Sequence, residues 1–273
     1  MRLMIATLLL AATPLVAQMP EGDQHWQQRH EGQQHGRAKA THIDAAIAAY
    51  SRAVAASPND LEARWKLLRA YRFKGAYVAA SNDEKKQVYG QAKKLGAEAL
   101  AVAEKRLGVN AKKSEKDVAA AARAVPGAGE IYLWDAVNWG EWALAYGKMA
   151  AAREGAADRI RRGATIALLV NPGMEGGTPA RVLGRLHDQT PRIPFITGWA
   201  SEKEALRFLQ DSLRIESTNK ITLVFLAEAL ASSDKPRAVD LLKKTIAAPA
   251  DPNYATEDAA AIADAKRLLA RLQ

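Results

Sequence analysis

DAAIAAYSRAVAASPNDLEARWKLLRAYRFKG, residues 44–75, reads as two helices joined by a tight break. In the first half, Ala46, Tyr50 and Ala53 share one face of a helix that Pro58 brings to an end, because proline lacks the amide a continuing helix needs. In the second half, Leu61, Trp65, Leu68 and Tyr71 recur at three- and four-residue spacing, the period of an amphipathic helix. The small residues on the shared faces let the two helix axes approach closely. Neither helix hides its apolar face alone, so the pair must stack on further copies of itself. The rest of the chain carries the same text. It has 273 residues, 48% of them apolar, only 6% aromatic and none of them cysteine. This composition suits packed helices and excludes disulfides, thiolate metal sites and cysteine nucleophiles.

Working outward, the sequence predicts helices near residues 83–107, 115–124, 130–149, 151–170, 179–188, 201–215, 219–232, 235–247 and 256–272. Three starts carry a hydroxyl followed three residues later by an acid: Ser81/Glu84, Ser114/Asp117 and Ser201/Glu204. Only ITLVFL (221–226) has strand-like composition, and Leu223, Leu226 and Leu230 keep helical spacing through it, so the expected class is all-α. Ala46, Tyr50, Ala53 and Pro58 sit at the offsets of the second helix of a tetratricopeptide repeat. Ala63, Leu67, Ala70, Tyr71 and Gly75 match the first helix of the next. The beat recurs more loosely in residues 163–173, 204–218 and 235–249. The expected architecture is tetratricopeptide-like helical hairpins stacked into a curved α-α superhelix, one domain over residues 42–273.

Residues 1–17 combine Arg2 with a short apolar run ending at Ala17, the pattern of a cleaved secretory signal. That implies a mature chain in a bacterial periplasm or outside the cell, with the periplasm as the expected location. Residues 18–41 are rich in Gln, His and Gly and lack helical periodicity, so they read as a flexible polar leader. His25, His30 and His35 are spaced by five, which turns each about 140° from the last on a helix. They share no face with one another or with His42 for a metal. The net charge is +9, but the basic residues fall in scattered pairs without interleaved aromatics, which argues against nucleic acid.

The helix at 130–149 draws the functional attention. At 100° per residue, Ile131, Tyr132, Trp134, Trp139, Trp142 and Tyr146 fall within an arc of about 160°, and Asp135 and Asn138 lie inside it. Gly140, Ala143 and Gly147 occupy another side, suited to close helix packing. A carboxylate and an amide within an aromatic face must find partners or face a cavity. Trp134, Asp135, Asn138, Trp139 and Trp142 are therefore the candidate lining of a channel for an apolar or amphipathic ligand. The loop Gly173–Pro179 reads as a tight turn with positive φ at its glycines, ahead of a helix N-terminus. Arg181 is its expected anchor, by a salt bridge or carbonyl contacts. Catalytic patterns are sparse. His187 is the only histidine beyond His42, neither Gly-x-Ser-x-Gly nor HExxH occurs, and Glu130, Asp135 and Glu141 are the carboxylates available to a glycan-cleaving site. No cofactor motif is present.

Taken together, IYLWDAVNWGEWALAYG (131–147), NPGMEGGTPARVLGRLHDQTP (171–191) and the terminal hairpins resemble the TRAP-transporter TatT component family over roughly residues 42–248. The matching residues are Trp134, Trp139, Asn171-Pro172, Gly176-Gly177, Arg181, Leu183-Gly184 and Pro191. The resemblance implies a tetratricopeptide-like periplasmic protein with an internal ligand-accessible channel, associated with the extracytoplasmic solute-binding subunit of a carboxylate transporter. Family members often carry a lipid on an N-terminal cysteine, which this chain lacks. The expected function is a non-enzymatic periplasmic binding or scaffold protein. The alternatives are a general envelope adaptor without a small ligand and an all-α hydrolase or lyase of envelope polymers.

Overall fold

A computed structural model describes residues 18–273; the expected signal peptide lies outside them. Thirteen α-helices follow in order: α1 (Gln18–Gln27), α2 (Ala40–Ala56), α3 (Leu61–Phe73), α4 (Asn82–Leu107), α5 (Glu115–Ala122), α6 (Ala128–Tyr146), α7 (Lys148–Arg153), α8 (Ala156–Val170), α9 (Thr178–Gln189), α10 (Glu202–Ile215), α11 (Lys220–Leu230), α12 (Lys235–Ala247) and α13 (Ala255–Leu272). No strand occurs among the described residues. The 221–226 run is helical, because the leucine spacing outweighs its branched residues.

Local chemistry explains the boundaries. Asp60 caps α3 by accepting from the amides of Glu62 and Ala63. Ser81, Ser114 and Ser201 cap α4, α5 and α10 as their spacing predicts. The helix expected over 151–170 is two. Gly147 (φ 90°) ends α6, and Gly155 (φ 64°) separates α7 from α8. Both need the positive φ that glycine adopts without a Cβ clash.

Packing runs from neighbour to neighbour: α1 on α2, α2 on α3, α4 and α3 on α6, α6 on α8, α8 on α9, α9 on α10, and α11 on α12 and α13. The core is accordingly a string of apolar clusters, each shared by adjacent helices. Alanines make this possible: Ala46, Ala63, Ala70, Ala92 and Ala103 are fully buried. The closest approaches use glycines the sequence did not single out. A Cβ at Gly163 would strike the Tyr132 carbonyl, and one at Gly96 would strike Asp135, whereas Gly140 faces open space. Gly184, in the family-like motif, does abut a neighbour, since a Cβ there would overlap Leu209.

Residues 18–41 correct the expectation of a flexible leader. Gln18–Gln27 form α1, which lies along α2 with Gly22 against the Tyr50 ring. The Tyr50 hydroxyl donates to Asp23 at 2.8 Å, and Lys66 donates to the other oxygen of the same carboxylate, also at 2.8 Å. Met19 and Trp26 pack on the buried cluster around Tyr50 and Phe73. Periodicity was a poor guide here because the residues of α1 that pack, Met19, Gly22, Asp23 and Trp26, form no long apolar stripe, and their partners lie elsewhere in the chain.

The segment then crosses to the far end of the sequence. Arg29 pairs with Glu257 at 3.1 Å and donates to the Asn253 carbonyl at 2.7 Å. His30 donates from Nε2 to the Asn253 carbonyl at 2.7 Å, while its Nδ1 accepts the Thr256 amide. With Nδ1 accepting, the imidazole is neutral; Glu257 Oε2 lies 3.4 Å from the same nitrogen. The Gly36 backbone lies against Ala260. The segment that follows α1 thus meets α13, and the superhelix closes on itself.

Candidate functional site

Closure makes an interior. Arg69 and Arg72 project from α3, Glu141 from α6, Arg181 and Arg185 from α9, Phe225 and Glu228 from α11, and Glu257 from α13. These groups meet across helix boundaries. Arg72 donates to Glu141 at 3.2 Å and to the Tyr77 hydroxyl at 3.0 Å. Arg69 pairs with Glu175 at 3.3 Å and stacks over Trp26 at 4.0 Å and Trp65 at 4.8 Å. Arg185 pairs with Glu228 and lies 4.3 Å over the Phe225 ring.

Two cavities open on this interior. The larger, about 350 Å³, has Arg72, Tyr77, Tyr89 and Glu141 on one wall and Ile221, Val224, Phe225 and Ala261 on the other. Arg37 and Arg267 stand among its polar lining. The second, about 240 Å³, lies between α11 and the start of α13, with Lys220, Asp251, Tyr254 and Asp258 in its walls. Ile221 and Glu257 line both. The Lys220 ammonium is 3% exposed and bonds Asp258 at 2.7 Å, so this pair is structural and holds α11 to α13.

Electrostatics follow from burial. Desolvation would lower Arg72, but Tyr77 and Glu141 outweigh it and hold the guanidinium above the usual arginine value. Arg181 differs. Burial and the nearby charge of Arg72 bring it down to about 10, with Glu216 opposing. Its donors go to the hydroxyls of Thr178 and Thr222, so it ties the start of α9 to α11. The salt bridge or carbonyl contacts expected of Arg181 give way to hydroxyl contacts. Gly176 and Gly177 adopt φ of 62° and 77°, the turn their sequence called for. The carboxylate beside that turn is the protein's own Glu216, which lies where a Cβ at Gly176 would be.

The aromatic helix sits elsewhere. α6 is the central helix of the stack, between α3 and α4 on one side and α8 on the other. Trp134, Asp135, Asn138, Trp139 and Trp142 are all buried, and none of them lines either cavity. Asn138 donates to the carbonyls of Leu68 and Trp134, joining α6 to α3. Trp139 and Trp142 pack edge to face, with the Lys93 ammonium 4.5 and 4.2 Å over their rings. Polar satisfaction on this face is incomplete: Trp134 Nε1, Asn138 Oδ1 and Oδ1 of the Asp135 carboxyl are all buried without a hydrogen-bond partner among the described residues. Burial raises this carboxyl to about 7, with Arg159 acting against the rise. Of the three carboxylates weighed for catalysis, only Glu141 lines either cavity, and Arg72 holds it.

A Trp139→Ala variant should therefore behave as a core truncation, losing about 3–5 kcal/mol in denaturant unfolding. A loss under about 1 kcal/mol would mean that the ring already borders empty space.

Sequence reasoning missed the interior residues Arg72, Tyr77, Glu141 and Phe225 as a group. Arg72 and Phe225 lie far apart in the chain, on α3 and α11, and no local spacing signals that they share a wall.

With the geometry in place, the fold can be compared with known proteins. No family model matches the chain, and no curated protein does. Among solved structures, the crystal structure of a thermophilic TPR protein in Thermus thermophilus matches with a TM-score of 0.52 at 16% identity, covering 92% of this chain and 100% of that one. At that identity the likeness establishes the fold. The chain is an all-α, tetratricopeptide-like superhelix.

Proposed function

We propose that this protein is a non-enzymatic periplasmic scaffold that takes an extended segment of a protein partner into the interior of its closed superhelix. The observation that carries this reading is the interior wall itself. Arg72, Glu141 and the Phe225 ring line a 350 Å³ space, with Arg72 already fixed by Glu141; Arg185, held by Glu228, stacks on the same Phe225 ring without lining that space. Pre-ordered arginines and aromatics are the residues that dominate binding at interfaces, because little entropy is lost when a partner arrives. The signal-like first 17 residues support export. The motif resemblance supports the extracytoplasmic solute-binding subunit of a TRAP-type transporter as the partner. A small amphipathic ligand, where one binds, belongs in this same cavity rather than along α6.

Site-specific photocrosslinking tests the proposal. A photoreactive phenylalanine analogue at Phe225 should crosslink to a periplasmic solute-binding protein in cells of the source organism, while the same group at the exposed outer position Lys243 should not. Crosslinks to other proteins, or equal yields at both positions, would overturn the reading. Arg72→Ala should lower the crosslink yield at Phe225 at least tenfold.

A second prediction concerns the clasp. Burial, and then the Arg29 charge, hold the His30 imidazole below its ordinary value, while Glu257 and the Asn253 carbonyl oppose them. A depressed histidine contributes stability that is present above its unfolded value of about 6.5 and lost as the pH falls through its lower folded value. Below about pH 6 the Thr256 amide, which donates to His30 Nδ1, should lose hydrogen-exchange protection after correction for intrinsic rate. Amides in the middle of α6 should keep theirs.

A further inference from the structure

One end of the superhelix exposes more apolar surface than a solvated edge requires. Leu144 is 70% exposed, Met149 72% and Ile196 67%, and Phe195 is fully exposed. Ile193 and Tyr146 add to them. These residues come from two places in the sequence that the topology brings together. α8 returns antiparallel to α6, and α9 returns antiparallel to α8. The end of α6, α7 and the 190–200 loop therefore finish on the same edge. A single buried cluster underlies both segments, joining Trp142, Ala145 and Ala156 to Leu186, with Ala150 and Trp199 packed against it.

The loop is built to present its apolar tip. Thr197 Oγ1 accepts the Ile193 amide, and the Thr197 amide donates to the Ile193 carbonyl at 2.9 Å. Trp199 anchors the base, edge-on to His187 and beneath Arg161. Phe195 itself has φ 63°, a left-handed conformation that a bulky side chain adopts only when its surroundings impose it. Around the tips, Lys148, Arg153, Arg192 and Lys203 have no carboxylate within salt-bridge distance among the described residues. The acids Glu154, Asp158 and Glu204 on the same segments are each bound to a cation, which leaves Glu202 as a single unpaired acid beside Lys203.

We propose that this edge docks on an anionic lipid surface, with Ile193, Phe195 and Ile196 entering the interface and the free cations meeting the headgroups. Protruding apolar tips ringed by unpaired positive charge fit a soft, negatively charged plane. A protein partner would need pockets matched to two separate prominences, whereas a bilayer conforms to both. No helix among the described residues is long and apolar enough to cross a membrane, so the contact is peripheral. This inference does not depend on the interior being a partner site.

The test uses the chain from Gln18 onward and vesicle sedimentation. Vesicles of phosphatidylglycerol and phosphatidylethanolamine should retain the protein, and phosphatidylcholine vesicles should retain at least tenfold less. Phe195→Asn combined with Ile196→Ser should weaken retention at least tenfold. The fold should survive, because both side chains are exposed and asparagine tolerates positive φ. Ile215→Ser, an exposed apolar residue outside these segments, should change nothing, and 0.5 M salt should release the protein. Failure of the wild type to bind anionic vesicles, or equal binding by the double variant, would overturn the proposal. So would a concentration-dependent dimer in light scattering that the double variant abolishes, since the tip would then be a contact between copies of this chain.

Discussion

Deleting residues 18–39 should lower the melting temperature by about 10 °C or more. The deletion strips Trp26 and Met19 from the cluster around Tyr50 and Phe73. It leaves the Tyr50 hydroxyl without its acceptor and removes the Asp23 partner of the largely buried Lys66. Burying one large apolar side chain contributes about 2 kcal/mol, and orphaning a buried polar group costs about 1–3 kcal/mol. Together these effects reach about 5 kcal/mol, and each kcal/mol shifts the midpoint of a chain this size by about 2–4 °C. The loss of Arg29 and His30 also opens the contact with α13, so the deletion should raise exchange in α13 as well as in α2. A change under about 4 °C, with α13 unaffected, would return these residues to the status of a passive leader.

Asp135→Asn should stabilise the protein at alkaline pH and leave it nearly unchanged at pH 4. The carboxyl is 6% exposed and is raised to about 7, chiefly by burial, against 3.8 for the free group. The folded state therefore holds a proton that the unfolded state has released throughout that window. Stability from this group is complete below about pH 4 and is lost as the pH rises through 7. At about 1.4 kcal/mol per pH unit between the two values, the loss approaches about 4 kcal/mol by pH 8. Denaturant unfolding of wild type and variant from pH 4 to pH 8 measures it directly. The wild-type curve should fall relative to the variant's, opposite in sign to the His30 effect. A variant less stable than wild type at pH 8 would show that the carboxylate has a buried partner in its charged form.

The helices of the stack were legible because their information is local. Spacing of Leu61, Trp65 and Leu68, the caps at Ser81, Ser114 and Ser201, and the stops at Pro58 and Pro172 each act within a few residues. The order of helices, their all-α class and the repeat-like pairing follow from such signals. The aromatic face of α6 was also visible, but periodicity alone could not say what lay against it. A helix in the middle of a stack is buried on most sides, so Trp134, Trp139 and Trp142 became core, with the Asn138 amide donating to the carbonyls of Leu68 and Trp134. A surface helix with the same residues would have lined a cleft.

Three things were decided only in three dimensions. Residues 18–41 carry too little apolar surface to signal a packed helix, yet Asp23, Arg29 and His30 find partners 27 to 228 positions away. The curvature that brings Arg29 to Glu257 is the sum of small rotations at every helix pair, and no single pair encodes it. The interior wall and the apolar edge exist because that curvature and the antiparallel returns place Arg72 opposite Phe225 and bring the end of α6 to the same edge as the loop that carries Phe195. Sequence by itself determined the helices and their stacking, through contacts between neighbours in the chain. The closed interior and the exposed edge were decided by contacts between distant residues, whose geometry accumulates over the whole superhelix and leaves no local mark.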